Sequence, residues 1–205
     1  IEKLNNGENI ALVSDAGTPG ICDPGEEVIK KAIEEKINVV PIPGACAMIN
    51  ALIASGIDTK EFNFLGFLPL NKKLRKEKLR EIENSNKTII LYEAPHKMKN
   101  TLEDLRKILE DRKVVLAREL TKIHEEFLRE NISTLLEKID DLKGEMILII
   151  EGKKEKEILN NKLNELTLEE HYKYYEEQGL EKKEIIKRIA KDRNVNKNEI
   201  YMKFI

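Results

Sequence analysis

An apolar strand signal, Ile10-Ala11-Leu12-Val13, runs straight into a loop of small and rigid residues, Ser14 to Gly25, that holds three glycines and two prolines. Glycine permits positive φ and lets a ligand approach bare backbone. Proline sets the turns around it. An ordinary connection from strand to helix needs about two to six residues, and this one is about twice as long. A rigid small-residue loop at the carboxyl end of a strand is where α/β folds hold ligands. The segment therefore predicts an α/β fold with a ligand site at this loop.

The rest of the chain repeats the pattern. Glu26 to Glu35 reads as a helix, with Asp23-Pro24 at its start and Val28, Ile29, Ala32 and Ile33 on one face. Ile37 to Pro41 reads as a short strand, and Pro43-Gly44-Ala45-Cys46-Ala47 as a second small-residue turn into a helix over 48–54. Phe62 to Leu68 is strand-like. This order predicts parallel strands whose loops face one cleft. Asn71 to Glu83 is a charged helix in which six of the first ten residues are Lys or Arg. Thr88–Tyr92, Val114–Ala117 and Glu145–Ile150 read as strands, with helices over 98–110 and 132–139 and an edge strand near 125–129. Beyond Glu151, charge dominates. Helices are predicted over 166–178 and 182–192, and Val195-Asn196-Lys197 turns into a third, an arrangement like a helix-turn-helix. Residues 181–205 carry eight Lys or Arg against four Asp or Glu.

Composition narrows the function classes. The 205 residues are 36% charged with a net charge of −2, which excludes a uniformly basic nucleic-acid binder, so any basic patch is local. Without Trp and with 5% aromatics, the chain offers no broad stacking platform for single strands. Cys22 and Cys46 form neither a metal motif nor a disulfide framework. No apolar run reaches the ~18–20 residues that span a bilayer, and no signal peptide is visible. A cytoplasmic location without membrane partners is the expectation.

Candidate functional groups follow the predicted strands. Asp15 and Thr18 follow the first. Tyr92, Glu93 and His96 follow Thr88–Tyr92, and Arg118, Glu119 and Lys122 follow Val114–Ala117. Dinucleotide, P-loop and zincin patterns are absent. Ser14 and the cysteines have no base nearby in sequence, which argues against a covalent intermediate.

Read together and in order, SDAGTPGICDPG, PGACA, FNFLGFLP, YEAPHK, ARELTKIHEE and KGEMILIIEG resemble the tetrapyrrole-methylase-like class of S-adenosylmethionine methyltransferases, nearest to its ribosomal RNA 2′-O-ribose methyltransferase branch. The resemblance covers about residues 1 to 152, and the tail is similar to that branch's helical C-terminal extension. It implies two α/β domains, 1–69 and 70–152, with the cofactor in the cleft between them, and a helical extension over 153–205. Ile1 to Gly7 reads as the last turn of a helix. The family's first strand and its glycine- and proline-rich loop are therefore expected to be missing from this chain.

By motif, Asp15, Ala16, Gly17, Thr18 and Ile21 then stand where the family holds the methionine part of S-adenosylmethionine, with Cys46 and Ala47 in the next loop. Leu91 or Tyr92, Ala117 and Met146 match the positions that hold the adenosine. Methyl transfer from a sulfonium is an in-line displacement that needs alignment and no metal. Deprotonating a ribose hydroxyl calls for a base or a nearby cation. Glu119 is the candidate base, Arg118 and Lys122 hold phosphate or the alkoxide, and His96 is a further candidate. The implied activity is 2′-O-methylation of a decoding-region cytidine in 16S ribosomal RNA, on the free RNA or the small ribosomal subunit, by a homodimer. A tetrapyrrole methyltransferase of the same fold and a non-catalytic RNA-binding protein are the alternatives.

Overall fold

The structure, a computed structural model, describes residues 1–15, 17–140, 142–154 and 163–204. The chain divides into two compact units, Ile1–Glu151 and Gly152–Ile205.

In the first unit, helices α1 (Glu2–Asn5), α2 (Glu26–Glu34) and α3 (Ala47–Ser55) precede strand β1 (Phe62–Phe67). There follow α4 (Lys72–Asn84), β2 (Thr88–Glu93), α5 (Pro95–Leu109), β3 (Lys113–Arg118), β4 (Glu126–Asn131), α6 (Ile132–Lys138) and β5 (Met146–Ile150). One sheet has the order β1-β2-β5-β3-β4. β1 and β2 are parallel, whereas β5 lies between β2 and β3 and runs antiparallel to both. The sheet is therefore mixed: β1 and β2 keep a parallel relation, and β5 breaks it. The tight return from β3 to antiparallel β4 reverses the chain, so α6 carries it into β5 in the opposite sense to β3. β1, β2 and β3 still point one way, so their carboxyl ends share an edge with the amino ends of β4 and β5.

Alternation of side chains gives the sheet two apolar faces. Ile89, Leu91, Leu116, Met146 and Leu148 pack under α4, α5 and α6 through Ile82, Met98, Leu102, Leu105, Ile132 and Leu135. Ile90, Val115, Ala117, Ile147 and Ile149 pack on the other face against Ala51, Leu52 and Ile57. Both faces of β2, β3 and β5 are covered, which is why these strands read as continuous apolar runs.

Two predicted strands are not strands. Residues 10–13 and 37–41 belong to no ladder, and most of their large side chains are exposed: Ile10 is 56%, Val13 81% and Val40 65% accessible. A strand exists only through hydrogen bonds to a neighbour, and no ladder partner lies beside these stretches among the described residues. Helix starts also shift. Gly25, at φ 140°, caps α2 in place of Asp23, and a Cβ there would lie 2.5 Å from Leu12 Cδ2. α5 starts at Pro95, where proline's missing N–H costs nothing. His96 and Lys97 therefore ride on a first helical turn and not in a loop.

The second unit holds α7 (Leu168–Glu176), α8 (Lys182–Asp192) and α9 (Lys197–Tyr201) around Tyr175, Ile185, Ile186, Ile189 and Ile200. Thr167 and Glu170 form a capping box at the start of α7. Lys183, Lys187, Lys191 and Lys197 remain exposed.

Candidate functional site

The two small-residue loops fold against each other. The Thr18 backbone N–H and hydroxyl both donate to the Ala45 carbonyl, at 2.9 and 3.2 Å. Gly17 sits at φ 77°, and a Cβ on it would stand 2.8 Å from that same carbonyl oxygen. A Cβ on Gly44 would stand 3.2 Å from Thr18 Oγ1. Gly17 is thus required by contact as well as by φ, and Gly44 is favoured by contact alone. Beyond the second loop, α3 begins with Cys46 at its cap position, and the Cys46 side chain makes no hydrogen bond to the first N–H groups. Bare amides at a helix start favour negative charge. At its far end, Arg129 of β4 donates to the Ala54 and Ser55 carbonyls, at 2.6 and 3.3 Å, and so fixes α3 on the sheet.

The first loop reaches the sheet at its tip. β1 shifts register between Phe64 and Gly66. Gly66 has φ 61°, and a Cβ there would lie 3.3 Å from Cys22 Sγ. Next to this bulge, the Tyr92 ring meets Phe64 and Phe67 edge-on, at 4.9 and 5.8 Å. The Met48 backbone N–H faces the phenol oxygen. Burial raises the Tyr92 pKa, negative charge at Cys46, Cys22 and Asp23 pushes it the same way, and the Met48 N–H opposes them. Burial and Asp23 likewise raise the Cys22 thiol. Loop one, loop two and the end of β2 therefore meet at Tyr92.

Register across the sheet places Tyr92, Ile147 and Ala117 in one row and Glu93, Met146 and Arg118 in the next. Tyr92 and Ala117 are thus about 10 Å apart, two strand spacings. Tyr92 and Ala117 belong to the α3 face, whereas Leu91 and Met146 belong to the face under α4, α5 and α6. Of the pair Leu91 or Tyr92, only Tyr92 sends its side chain toward the loops, and Met146 offers this side its backbone alone. Ile21 is 38% accessible. Asp15, Ala47 and His96 are exposed. Ala16 lies outside the described residues.

Past β3, Glu119 and Lys122 form one hydrogen-bonded turn with Glu145, and Arg118 stands at the strand end before it. The Glu119 Oε1 accepts from the Glu145 backbone N–H at 2.9 Å and from Lys122 Nζ at 3.1 Å. These bonds hold its carboxyl below the usual carboxylate range, the backbone bond first. Lys122 also meets the Glu145 carboxylate at 3.2 Å, and both carboxylates raise its pKa. Arg118 Nε donates to Glu126 Oε2 at 2.6 Å and Nη1 to the Lys143 carbonyl at 3.3 Å. Glu119 and Thr121 hold left-handed φ values of 51° and 66°, and the Thr121 N–H is taken by Glu125 Oε2 at 2.7 Å.

Residues 1–136 match the model of the family described as Tetrapyrrole (Corrin/Porphyrin) Methylases. The chain belongs to the tetrapyrrole methylase family. The "Ribosomal RNA small subunit methyltransferase I" of Bacillus subtilis (strain 168) is 46% identical over 205 residues, covering 98% of this chain and 70% of that protein. The protein of the same name from Synechocystis sp. is 40% identical over 204 residues, covering 98% and 72%. Among solved structures, the methyltransferase CobJ superposes with a TM-score of 0.58 at 18% identity, covering 74% of this chain and 67% of that one, a likeness of fold. This tetrapyrrole methylase is an S-adenosylmethionine-dependent methyltransferase. Its residues suit such a cofactor: small loops stand back at Gly17 and Gly44, α3 starts without a cap from the Cys46 side chain, and the Tyr92 phenol lies beside the Met48 N–H.

Three groups escaped the sequence reading as parts of this edge. Gly66 and Gly144 carry no sign of their contacts in a single sequence. Thr101 lies on the apolar face of its helix, where a threonine carries no sign of its partners, and Arg75 lies in a helix that reads as charged throughout. Arg129 lies in an edge strand, where an arginine is unremarked.

Proposed function

We propose that the chain transfers a methyl group from S-adenosylmethionine to the ribose 2′-hydroxyl of a decoding-region cytidine in 16S ribosomal RNA. The observation that carries this reading is the match to proteins named for small-subunit ribosomal RNA, at 46% identity over 98% of the chain. The convergence of both small-residue loops on Tyr92 supports the cofactor side of it.

When bound, S-adenosylmethionine supplies a sulfonium methyl that leaves by in-line displacement, so alignment provides much of the rate. Gly17, Thr18 and Ile21 line the methionine end with the Cys46–Ala47 amides at the start of α3, and Asp15 stands at the approach of that loop. Tyr92 and the backbone at Leu91, Ala117 and Met146 hold the adenosine. Glu119 is already hydrogen-bonded and poorly basic, so its part is to set the turn from which Arg118 and Lys122 meet phosphate or the developing alkoxide. In this reading His96, exposed on the first turn of α5, takes the proton. The target nucleotide enters unstacked. Exposed Lys72, Lys73, Lys76 and Arg80 on α4, and the lysines of α8 and α9, contact flanking phosphates. The family resemblance further implies a cytoplasmic homodimer acting on the RNA or the small subunit, and sedimentation of the protein reads its mass. Among the described residues, no helix is long and apolar enough to cross a membrane.

The test is tritium transfer from labelled S-adenosylmethionine to 16S ribosomal RNA, followed by nucleoside mapping. Label in 2′-O-methylcytidine is the expected result. Binding of S-adenosylmethionine with no label in any RNA would move the reading to a small-molecule acceptor.

A further inference from the structure

A buried polar chain stands behind Tyr92, and the methyl-transfer reading does not use it. Glu93 closes β2 and is 5% accessible. Its Oε1 accepts from the Ala94 backbone N–H at 2.9 Å, and its Oε2 accepts from the Thr101 hydroxyl at 2.7 Å. Thr101 is wholly buried in α5. Its oxygen in turn accepts from Arg75 Nη2 at 3.0 Å, and Arg75 Nε donates to Asp104 Oδ2, also at 3.0 Å. The hydroxyl's single proton goes to Glu93 and its lone pair faces Arg75, so both capacities are used and its orientation is set. A carboxylate this deep is costly unless hydrogen-bonded. The start of α5 adds a favourable dipole.

We propose that Thr101 is a positioning residue for the cofactor wall. It acts through Glu93, and the inference rests on the reading that Tyr92 and the adjoining backbone hold the adenosine. Glu93 is covalently next to Tyr92 and shares its row with Met146 and Arg118. Fixing the Glu93 carboxylate fixes the last peptide of β2 and the turn into α5. That peptide sets where the Tyr92 ring stands against Met48. The same hydroxyl links Arg75, on the lysine-rich helix α4, to this wall. Without it, Glu93 keeps only the Ala94 N–H, and the buried carboxylate must turn toward another donor.

The experiment is calorimetric titration of the whole chain with S-adenosylmethionine, for the wild type, Thr101→Val and Thr101→Ser, with melting temperatures recorded in parallel. Valine keeps the volume and removes the hydroxyl, whereas serine restores it. The expected result is about tenfold weaker binding for Thr101→Val, the factor given by a loss of about 1.4 kcal/mol. Thr101→Ser should stay within about twofold of the wild type. A merely structural bond would lower the melting temperature and leave affinity alone. Unchanged affinity in Thr101→Val therefore overturns the proposal, whatever its stability. If that variant fails to fold, Arg75→Met removes the outer donor and should weaken binding severalfold, and no change there overturns the proposal equally. A wild type that does not bind S-adenosylmethionine would defeat the cofactor reading itself. A wild type that binds, with an indifferent Thr101→Val, defeats this inference alone.

Discussion

Gly144 and the Glu119 carboxyl occupy one space. A Cβ on Gly144 would fall 2.3 Å from Glu119 Cδ, and Gly144 holds φ 95°. The glycine therefore makes room for the carboxylate that bonds the next peptide, Glu145 N–H to Glu119 Oε1. Gly144→Ala must displace that carboxylate and adopt a left-handed backbone. A cost of about 1–3 kcal/mol is expected, together with loss of methyl transfer as the turn carrying Arg118 and Lys122 shifts. Urea unfolding and a transfer assay on one preparation check both. An alanine variant as stable and active as the wild type would remove this contact from the account.

The Glu119 carboxyl separates two chemical roles. As a fixed acceptor it needs an oxygen toward Glu145, which glutamine also has. As a proton acceptor it needs its charge. Glu119→Gln is expected to keep turnover within about threefold with an unshifted pH profile, and Glu119→Ala to lose at least about tenfold. Affinity for S-adenosylmethionine should change little in either. Should Glu119→Gln lose about a hundredfold or more together with the acidic limb of its profile, Glu119 would be the base.

The Gly17 backbone tests the contact between the loops. Its φ of 77° and the 2.8 Å approach of a would-be Cβ to the Ala45 oxygen leave no place for a methyl group. Gly17→Ala should push the loops apart and weaken S-adenosylmethionine binding by about tenfold or more. The melting temperature should hardly move, because the sheet core lies elsewhere. Calorimetry alongside thermal unfolding reads the difference, and undiminished affinity would place the cofactor away from this loop.

How much of this was legible beforehand depended on whether a residue's signal was local. Apolar runs such as Thr88–Tyr92 and Glu145–Ile150 declare buried strands because both faces are covered. Asn71 declares the start of α4, accepting from the Lys73 and Leu74 N–H groups. The loops at Gly17 and Cys46 were visible as small-residue turns. What hydrophobic patterning cannot carry is partnership. Ile10–Val13 looks as apolar as β3 yet has no ladder, and β5 gives no sign that it enters between β2 and β3. Patterning also cannot tell on which side of a strand a site lies. Leu91 and Tyr92 are neighbours with opposite faces, and the pleat decided between them only once α3 was seen to cover the Tyr92 side. Thr101 escaped notice because a helical threonine signals nothing until Arg75 and Glu93 are found around it.

Acid should weaken the second unit through His171. Its ring is wholly buried, with Nδ1 accepting from Arg193 Nε at 3.1 Å and Nε2 standing 3.4 Å from Asp192 Oδ2. Burial first, and the Arg193 charge second, hold its pKa below the ordinary 6.5. Protonating Nδ1 would put a second cation against Arg193 and delete the bond between them. Because the folded value lies below the unfolded one, the unfolded chain takes up the proton first as pH falls. The contribution is whole above pH 6.5 and declines below it, until the folded ring is protonated too. Urea unfolding from pH 8 to 5 should therefore show a stability loss in the wild type that His171→Gln lacks. Hydrogen exchange in α7 and α8 should report the same difference, because Arg193 also donates to the Thr167 carbonyl at 3.2 Å and to the Leu166 carbonyl. Parallel pH curves for the two proteins would mean that His171 keeps one protonation state across this range.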